Sequence, residues 1–328
     1  MLRNRDMVKV STTSKRPYGV AVVVPCHNAA NTLERALDSV LSQTLEAIRL
    51  YVVDDGSTDA TTEILRRYSR YGVCVRQAHL GQAAARNCAI SMSKERYVAF
   101  LDADDYWLPT KLERQIALLD QNPAVGMVCS DCETLEGREY VGSHFGNSDI
   151  PGTGKMFERL TRDCFIFTPT VVVRRECLDE VGLFNEVLAV SEDFELWLRI
   201  AARWEIAVVP EVLAVREIRS EGLSLSTRPE IALDQGIAAL ENVRVTCPEL
   251  SRNEARALED AIVQRNYVYG SHLLANGRRR ESRTKLITVL RRRPTHWRAW
   301  IKYALTFLPG GLSGRLIERR HRSVCHEN

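Results

Sequence analysis

Short apolar runs alternate with amphipathic stretches from residue 20 to residue 104. Residues 20–24 are β-branched and apolar throughout but for one Ala, which predicts a buried strand. A polar turn follows, and Asn31 with Glu34 three positions on has the pattern of a capping box. The helix it opens carries Leu33, Ala36, Leu37, Val40 and Leu41 on one face. The unit then recurs. Residues 50–53 predict a strand, 54–59 a turn, and a helix with Ile64, Leu65 and Tyr68 on one side comes next. Strands at 73–76 and 97–101 flank a helix at 82–91, and the last strand ends on Asp102-Ala103-Asp104-Asp105. Strands alternating with helices predict an α/β fold: a Rossmann-like, mainly parallel sheet flanked by helices.

The pattern loosens between 130 and 169, where Gly, Ser and Asp cluster, and returns at 170–173. A helix over 192–204 puts Phe194, Trp197, Leu198, Ala201 and Trp204 on one face. Residues 207–209 predict a final strand, stopped by Pro210. Beyond residue 226 strand signals vanish, and four helices are expected, broken near Pro248, Gly277 and Pro294. The predicted organisation is a flexible tail (1–17), an α/β domain (18–226) and a basic α-helical region (227–328).

Charge sharpens that division. The net charge is only +3, yet residues 226–328 hold 19 Lys/Arg against 10 Asp/Glu, leaving a balance of −6 for the first 225 residues. Residues 278–328 alone carry 14 Lys/Arg and 3 Asp/Glu. Trp297, Trp300, Ile301, Ala304, Leu305 and Leu308 predict an apolar helix face beside those cations, so peripheral contact with an anionic membrane is expected there. No run of 18 apolar residues exists, and no secretory pattern opens the chain. Nine cysteines include one CxxC, Cys129 and Cys132, without a second pair, so a structural zinc site is not expected. A cytoplasmic chain, peripheral at the inner face of the cell membrane, is the expectation.

Three unusual turns fall at predicted strand ends: Pro25-Cys26-His27-Asn28, Asp54-Asp55-Gly56-Ser57 and Asp102-Ala103-Asp104-Asp105. In an open α/β sheet, ligands bind beyond the carboxyl ends of the strands. Carboxylates gathered on one edge repel unless a cation or ligand hydrogen bonds offset them. Oxygen ligation suits Mg²⁺ or Mn²⁺, the usual partners of phosphates. The glycine loops of dinucleotide-binding and P-loop folds are absent, as are GxSxG and HExxH.

In this order, VVVPCHNAANTLERALDSVLSQT (22–44), VVDDGSTD (52–59), LGQAAARN (80–87), FLDADDYWLPTKLERQI (100–116), VVVRRECLDEVGLFNE (171–186) and SEDFELWLR (191–199) resemble the family 2 glycosyltransferases of GT-A fold. The resemblance implies an inverting transfer of a sugar from a nucleotide-sugar donor, a UDP-sugar, to a glycan or lipid-linked acceptor in polysaccharide biosynthesis. It implies Pro25, His27 and Asp55 in the nucleobase pocket with Asn28 beside them, and Arg86 near the base or diphosphate. It also implies Asp102 at the ribose, Asp104 on the metal, and Asp193 as general base, with Glu192 orienting either it or the acceptor. Asp105 and Trp197 read as structural, although Trp197 shares the helix of Asp193. Asn185-Glu186 stands where relatives often have Asp-Glu. No His follows the last strand at 215–219, where many relatives have one, which leaves Arg219 to neutralise the leaving diphosphate. A sugar nucleotidyltransferase would need a glycine-rich basic loop after the first strand, which 25–34 lacks. A degenerate nucleotide-sugar sensor would have no reason to keep Asp55, Asp102, Asp104 and Asp193 together. Nucleic acid is not an expected partner.

Overall fold

A computed structural model describes residues 19–137, 139–145, 152–218 and 228–308. The N-terminal tail and Arg219 lie outside the described residues. The described strands form one nine-stranded sheet: β1 (Val20–Cys26), β2 (Ile48–Asp55), β3 (Gly72–Gln77), β4 (Tyr97–Phe100), β5 (Tyr106–Trp107), β6 (Val125–Glu136), β7 (Glu139–Ser143), β8 (Val172–Arg174) and β9 (Glu205–Ile218). Their order is β3-β2-β1-β4-β8-β6-β9-β5, with β7 paired to β6. The first four strands are parallel, as the alternating pattern requires. The second half is mixed: β8 runs antiparallel to β4 and β6, whereas β6 and β9 are parallel.

The β1 run is apolar without alternation because both faces are covered. Val20, Val22 and Val24 join the core under α1 (Leu33–Leu41), α2 (Thr61–Tyr68) and α4 (Lys111–Gln121). Ala21 and Val23 join the opposite core under α3 (Gln82–Met92) and α7 (Glu192–Ala201). Three further elements, α5 (Phe157–Arg162), a 3₁₀ turn (Thr168–Thr170) and α6 (Arg175–Val181), complete the α/β part.

Two local expectations are corrected. The helix after β1 starts on Thr32, not Asn31, and no side chain caps it. A capping box does form much later, where Ser251 and Glu254 open α9 (Arg252–Ala275) reciprocally. Pro210 does not end the last strand, which runs on to Ile218. Pairing jumps from Ser130–Val209 to Asp131–Val212, so Pro210 sits in an irregularity where no ladder donor is required.

The four expected helices follow as α8 (Pro229–Thr246), α9, α10 (Arg279–Arg292) and α11 (Trp297–Leu305). Ala239, Leu240 and Val243 of α8 and Leu258 and Ile262 of α9 share one apolar cluster with α7. Much of the positive charge is spent inside this bundle. Arg278, Lys285, Arg292 and Arg293 pair with Glu230, Asp234, Glu241, Glu259 and Asp260 of α8 and α9. Among the described residues no helix is long and apolar enough to cross a membrane, and all eight cysteines are free thiols.

Candidate active site

The turns after β1 and β2 are stitched to one another. Asn28 donates its backbone N–H to Ser57 Oγ, and its Oδ1 accepts from Thr58 N–H. Ala29 and Ala30 donate to Thr61 Oγ1 and Asp59 Oδ2. Asp54 accepts from Ser57 N–H and Thr62 Oγ1. Every polar residue of the 54–62 stretch named here therefore serves turn geometry. Asn28 takes a left-handed φ of 49°, which its short polar side chain tolerates.

Asp55 is buried, and its carboxylate collects four donors. The N–H groups of Leu80 and Gly81 and the Gln77 amide each lie at 2.8 Å, and His79 Nδ1 lies at 2.9 Å. Burial pushes its pKa up, but the Leu80, Gln77 and Gly81 bonds outweigh it and hold the carboxyl below its usual range. The bonds from Gln77, Leu80 and Gly81 make Asp55 the clamp of that loop. His27 stacks on His79 at 4.2 Å, and His27 Nδ1 lies 2.8 Å from the Asp55 carbonyl oxygen. The His79 side chain is 64% exposed. Pro25 is buried at the end of β1, in register with Val53.

Arg86 projects from α3 into the space between two other turns. It is 2% exposed, and its guanidinium donates to Asp102 Oδ1 at 2.6 Å and to Glu192 Oε1 at 2.7 Å. Gln82 donates to the same Glu192 oxygen, and the Phe184 ring lies 5.3 Å beneath the guanidinium. Burial lowers the pKa of Arg86, but Asp102 and Glu192 raise it further, so the charge stays. Asn87, next along, grips the Phe184 backbone and Glu186, which gives Asn185-Glu186 a place in a turn.

Asp105 is buried on the Glu217 N–H of β9. Burial first, then the charges of Asp102 and Asp104, hold its carboxyl well above the usual range. Asp104 is half-buried, and Arg35 bonds both its carbonyl oxygen and Glu217. Among the described residues no three His, Cys, Asp or Glu side chains form a metal cage. The carboxylate oxygens of Asp102 and Asp104 are ligands of the kind a hard divalent cation takes together with phosphate and water.

Asp193 lies in the first turn of α7, after Ser191, whose φ of 66° is left-handed. Its Oδ2 accepts from Thr168 Oγ1 at 2.9 Å and its Oδ1 from the Phe194 N–H. Thr168 is placed from the other side. Trp107 Nε1 and the Gln115 amide hold the carbonyls of Pro169 and Thr170, and Lys111, wholly buried, bonds Gln115 beneath the Trp107 ring. Glu192 is buried, and its pKa rises to about 7 through burial and the Asp193 charge, against the pull of Arg86.

Two site residues escaped the sequence reading. Thr168 positions Asp193, and Arg216 on β9 lies over the Phe167 ring at 4.8 Å. Arg216 also pulls down the pKa of Asp105 and has no carboxylate partner among the described residues. The residue pair Val215-Arg216 was visible beside Arg219, but nothing in the pattern said that the strand would reach it. Trp197 is brought elsewhere: it is fully buried against Phe100 and Phe184 and faces the core.

Comparisons with known proteins bear on the same segments. Residues 21–182 match the model of "Glycosyl transferase family 2". An Escherichia coli protein, the "UDP-Glc:alpha-D-GlcNAc-diphosphoundecaprenol beta-1,3-glucosyltransferase WfgD", is 32% identical over 185 residues, 56% of this chain and 70% of the relative. The succinoglycan biosynthesis protein ExoU of Rhizobium meliloti is 31% identical over 58% of this chain and 59% of its own length. The crystal structure of S. aureus TarS 1-349 in complex with UDP-GlcNAc superposes with a TM-score of 0.69 at 19% identity, over 93% of this chain and 92% of that one. At that identity the likeness is one of fold, and it extends through the helical region.

The Glu192 carboxyl yields a pH prediction. Its native pKa of about 7 lies above the ordinary 4.5, so its contribution to stability is full below about 4.5 and is lost as pH rises towards 7. Denaturation of Glu192→Gln between these limits should show that decline removed. A decline identical to that of the parent chain would place the titration elsewhere.

Proposed function

The chain belongs to glycosyl transferase family 2 and is a glycosyltransferase, and from that premise we propose that it moves a sugar from a UDP-sugar to a lipid-linked glycan acceptor with inversion at the anomeric carbon. The observation that carries the reading is Arg86, which ties the Asp102 turn to the Glu192-Asp193 turn across one sheet edge. A donor site and a proton acceptor thereby share one edge of the sheet. The donor class is supported by the UDP-Glc named for the Escherichia coli relative and the UDP-GlcNAc in the TarS complex. The lipid-linked acceptor is supported by the diphosphoundecaprenol in the relative's name.

In this reading Pro25, His27 and Asp55 form the nucleobase pocket with Asn28 at its rim, and Asp102 lies at the ribose. Mg²⁺ or Mn²⁺ held on Asp104 would add positive charge at the donor diphosphate. Asp193 takes the proton from the acceptor hydroxyl as that oxygen attacks the anomeric carbon, and the nucleoside diphosphate leaves from the opposite face. Thr168 holds the Asp193 carboxylate in place, with one oxygen bonded to the hydroxyl. Glu192 fixes the helix start through Arg86 and Gln82. Arg216, a cation beside the Asp102–Asp105 turn, stabilises charge on the leaving diphosphate, the task the sequence reading assigned to Arg219.

A screen of nucleotide sugars with Mg²⁺ or Mn²⁺, read by released nucleoside diphosphate, tests the class. Release should occur with a UDP-sugar, and Asp104→Ala should abolish both activity and the metal dependence of UDP binding. Full activity in a chelator would sink the metal role. Asp193→Asn keeps the shape of the residue but cannot take a proton, and should lower kcat by about 10²–10⁴-fold with UDP binding unchanged. A nearly fully active variant would leave Asp193 as a helix-terminal residue only. Arg216→Gln should lower kcat by about 10²-fold at unchanged melting temperature. Unaltered turnover would remove Arg216 from the chemistry.

A further inference from the structure

Helix α11 turns two unlike faces outward and inward. Ala299 and Thr306 are buried, and Tyr303 packs with them on the cluster made by Leu286, Val289 and Leu290. Lys302 anchors the helix to Ser271 Oγ at 2.6 Å and to the Tyr267 ring at 4.6 Å. The opposite face carries Trp297, Trp300, Ile301 and Ala304, at the i, i+3, i+4, i+7 spacing of one stripe. Trp297, Trp300 and Ile301 are 57%, 51% and 43% exposed, and Leu308 continues the line at 37%. Two neighbouring indoles in water are unusual, since aromatic side chains carry the largest apolar areas.

The Trp300 Nε1–H is already bonded to the Pro294 carbonyl oxygen at 2.8 Å. The ring can therefore leave water without stranding a donor. Charge decides what covers the face. The cations Arg278, Lys285, Arg292 and Arg293 are neutralised by acids of α8 and α9. Arg280, Arg291 and Arg298 are exposed and have no carboxylate partner among the described residues, and the Arg298 guanidinium lies 5.3 Å from the Trp297 ring. An unpaired arginine beside an exposed indole matches the boundary of an anionic bilayer, where rings sit among headgroups and guanidinium groups reach phosphates. A second copy fits less well, because a stable interface removes about 1,000 Å² or more and this stripe spans a nine-residue helix.

The geometry points to α11 as a shallow membrane-docking helix, its Trp297–Trp300–Ile301 face lying in the headgroup region of an anionic leaflet. This deepens the lipid-linked acceptor reading and rests on it: docking holds the cleft where such an acceptor is presented. It differs from the broad basic-tail expectation in that apolar insertion leads and most of α10's charge takes no part.

The test uses the full chain with phosphatidylcholine vesicles, with and without about a third phosphatidylglycerol. Trp297 and Trp300 are far more exposed than Trp107 and Trp197, so docking should shift the tryptophan emission to the blue. Binding is expected to the anionic vesicles and to weaken at least ten-fold in Trp297→Ser/Trp300→Ser/Ile301→Ser, with the melting temperature and UDP release onto a water-soluble acceptor retained. Arg298→Glu, which keeps the apolar face, should weaken binding to anionic vesicles only. Absence of binding by the parent chain, or unchanged binding by the triple variant, overturns the proposal. So does a concentration-dependent dimer, seen by sedimentation, that the triple variant abolishes while vesicle binding persists. Vesicle binding without UDP release from any donor would retain the docking helix and reject the glycosyl-transfer reading instead.

Discussion

A guanidinium withdrawn from water needs acceptors at hydrogen-bond distance, and Arg86 finds them in two carboxylates. Asp102 closes the fourth parallel strand, and Glu192 opens a helix about ninety residues later in the chain. Neither turn is fixed by the sheet alone. Arg86 bridges them, and the Phe184 ring lies beneath its guanidinium at 5.3 Å. Removal of Asp102 would leave the buried charge short of a partner, which is more costly than the loss of a surface ion pair. Burial and the Asp193 charge push the Glu192 carboxyl up to about 7, and Arg86 pulls against them.

Strain points to the same edge. Among the described residues only Asn28 and Ser191 are non-glycine residues with positive φ, and they stand in the turn after β1 and at the start of α7. Left-handed backbone in such residues persists where neighbouring bonds impose it. For Asn28 those bonds come from Ser57 and Thr58. The polar letters of the 54–59 turn thus hold a neighbouring loop as much as they face a ligand.

The repeating strand–helix pattern made the first hundred residues legible, because parallel strands buried on both faces write themselves as apolar runs between turns. The breaks at Pro248, Gly277 and Pro294 likewise delimited the four C-terminal helices. Other features depended on distant partners. The two-residue strand β5 exists only because β9 runs past Pro210 to pair with it, and a proline inside a long strand reads locally as a stop. Within the site, the four turns were recognisable as motifs, but their internal bonding was not. Asp55 looked like a ligand contact and is bonded mainly to the 77–82 loop, while Thr168, in a short 3₁₀ turn without periodicity, gave no signal. Trp197 lies one turn beyond Asp193 on the same side of α7, but Asp193 is half-buried at the helix start whereas Trp197 is fully buried against Phe100 and Phe184.

The irregularity at Pro210 has a consequence for how such chains diversify. Along β6 and β9 the partner offset changes from 79 residues at Ser130–Val209 to 82 at Cys132–Ala214. Side chains on a strand alternate between faces, so an odd shift inverts which positions look towards the site. One residue gained or lost at this bend would turn Arg216 to the other side of the sheet and bring Val215 or Glu217 round in its place. Length at a single surface bend is thus a discrete selector of active-edge chemistry, open to insertion and deletion, where point substitution along the strand would have to rework several positions at once.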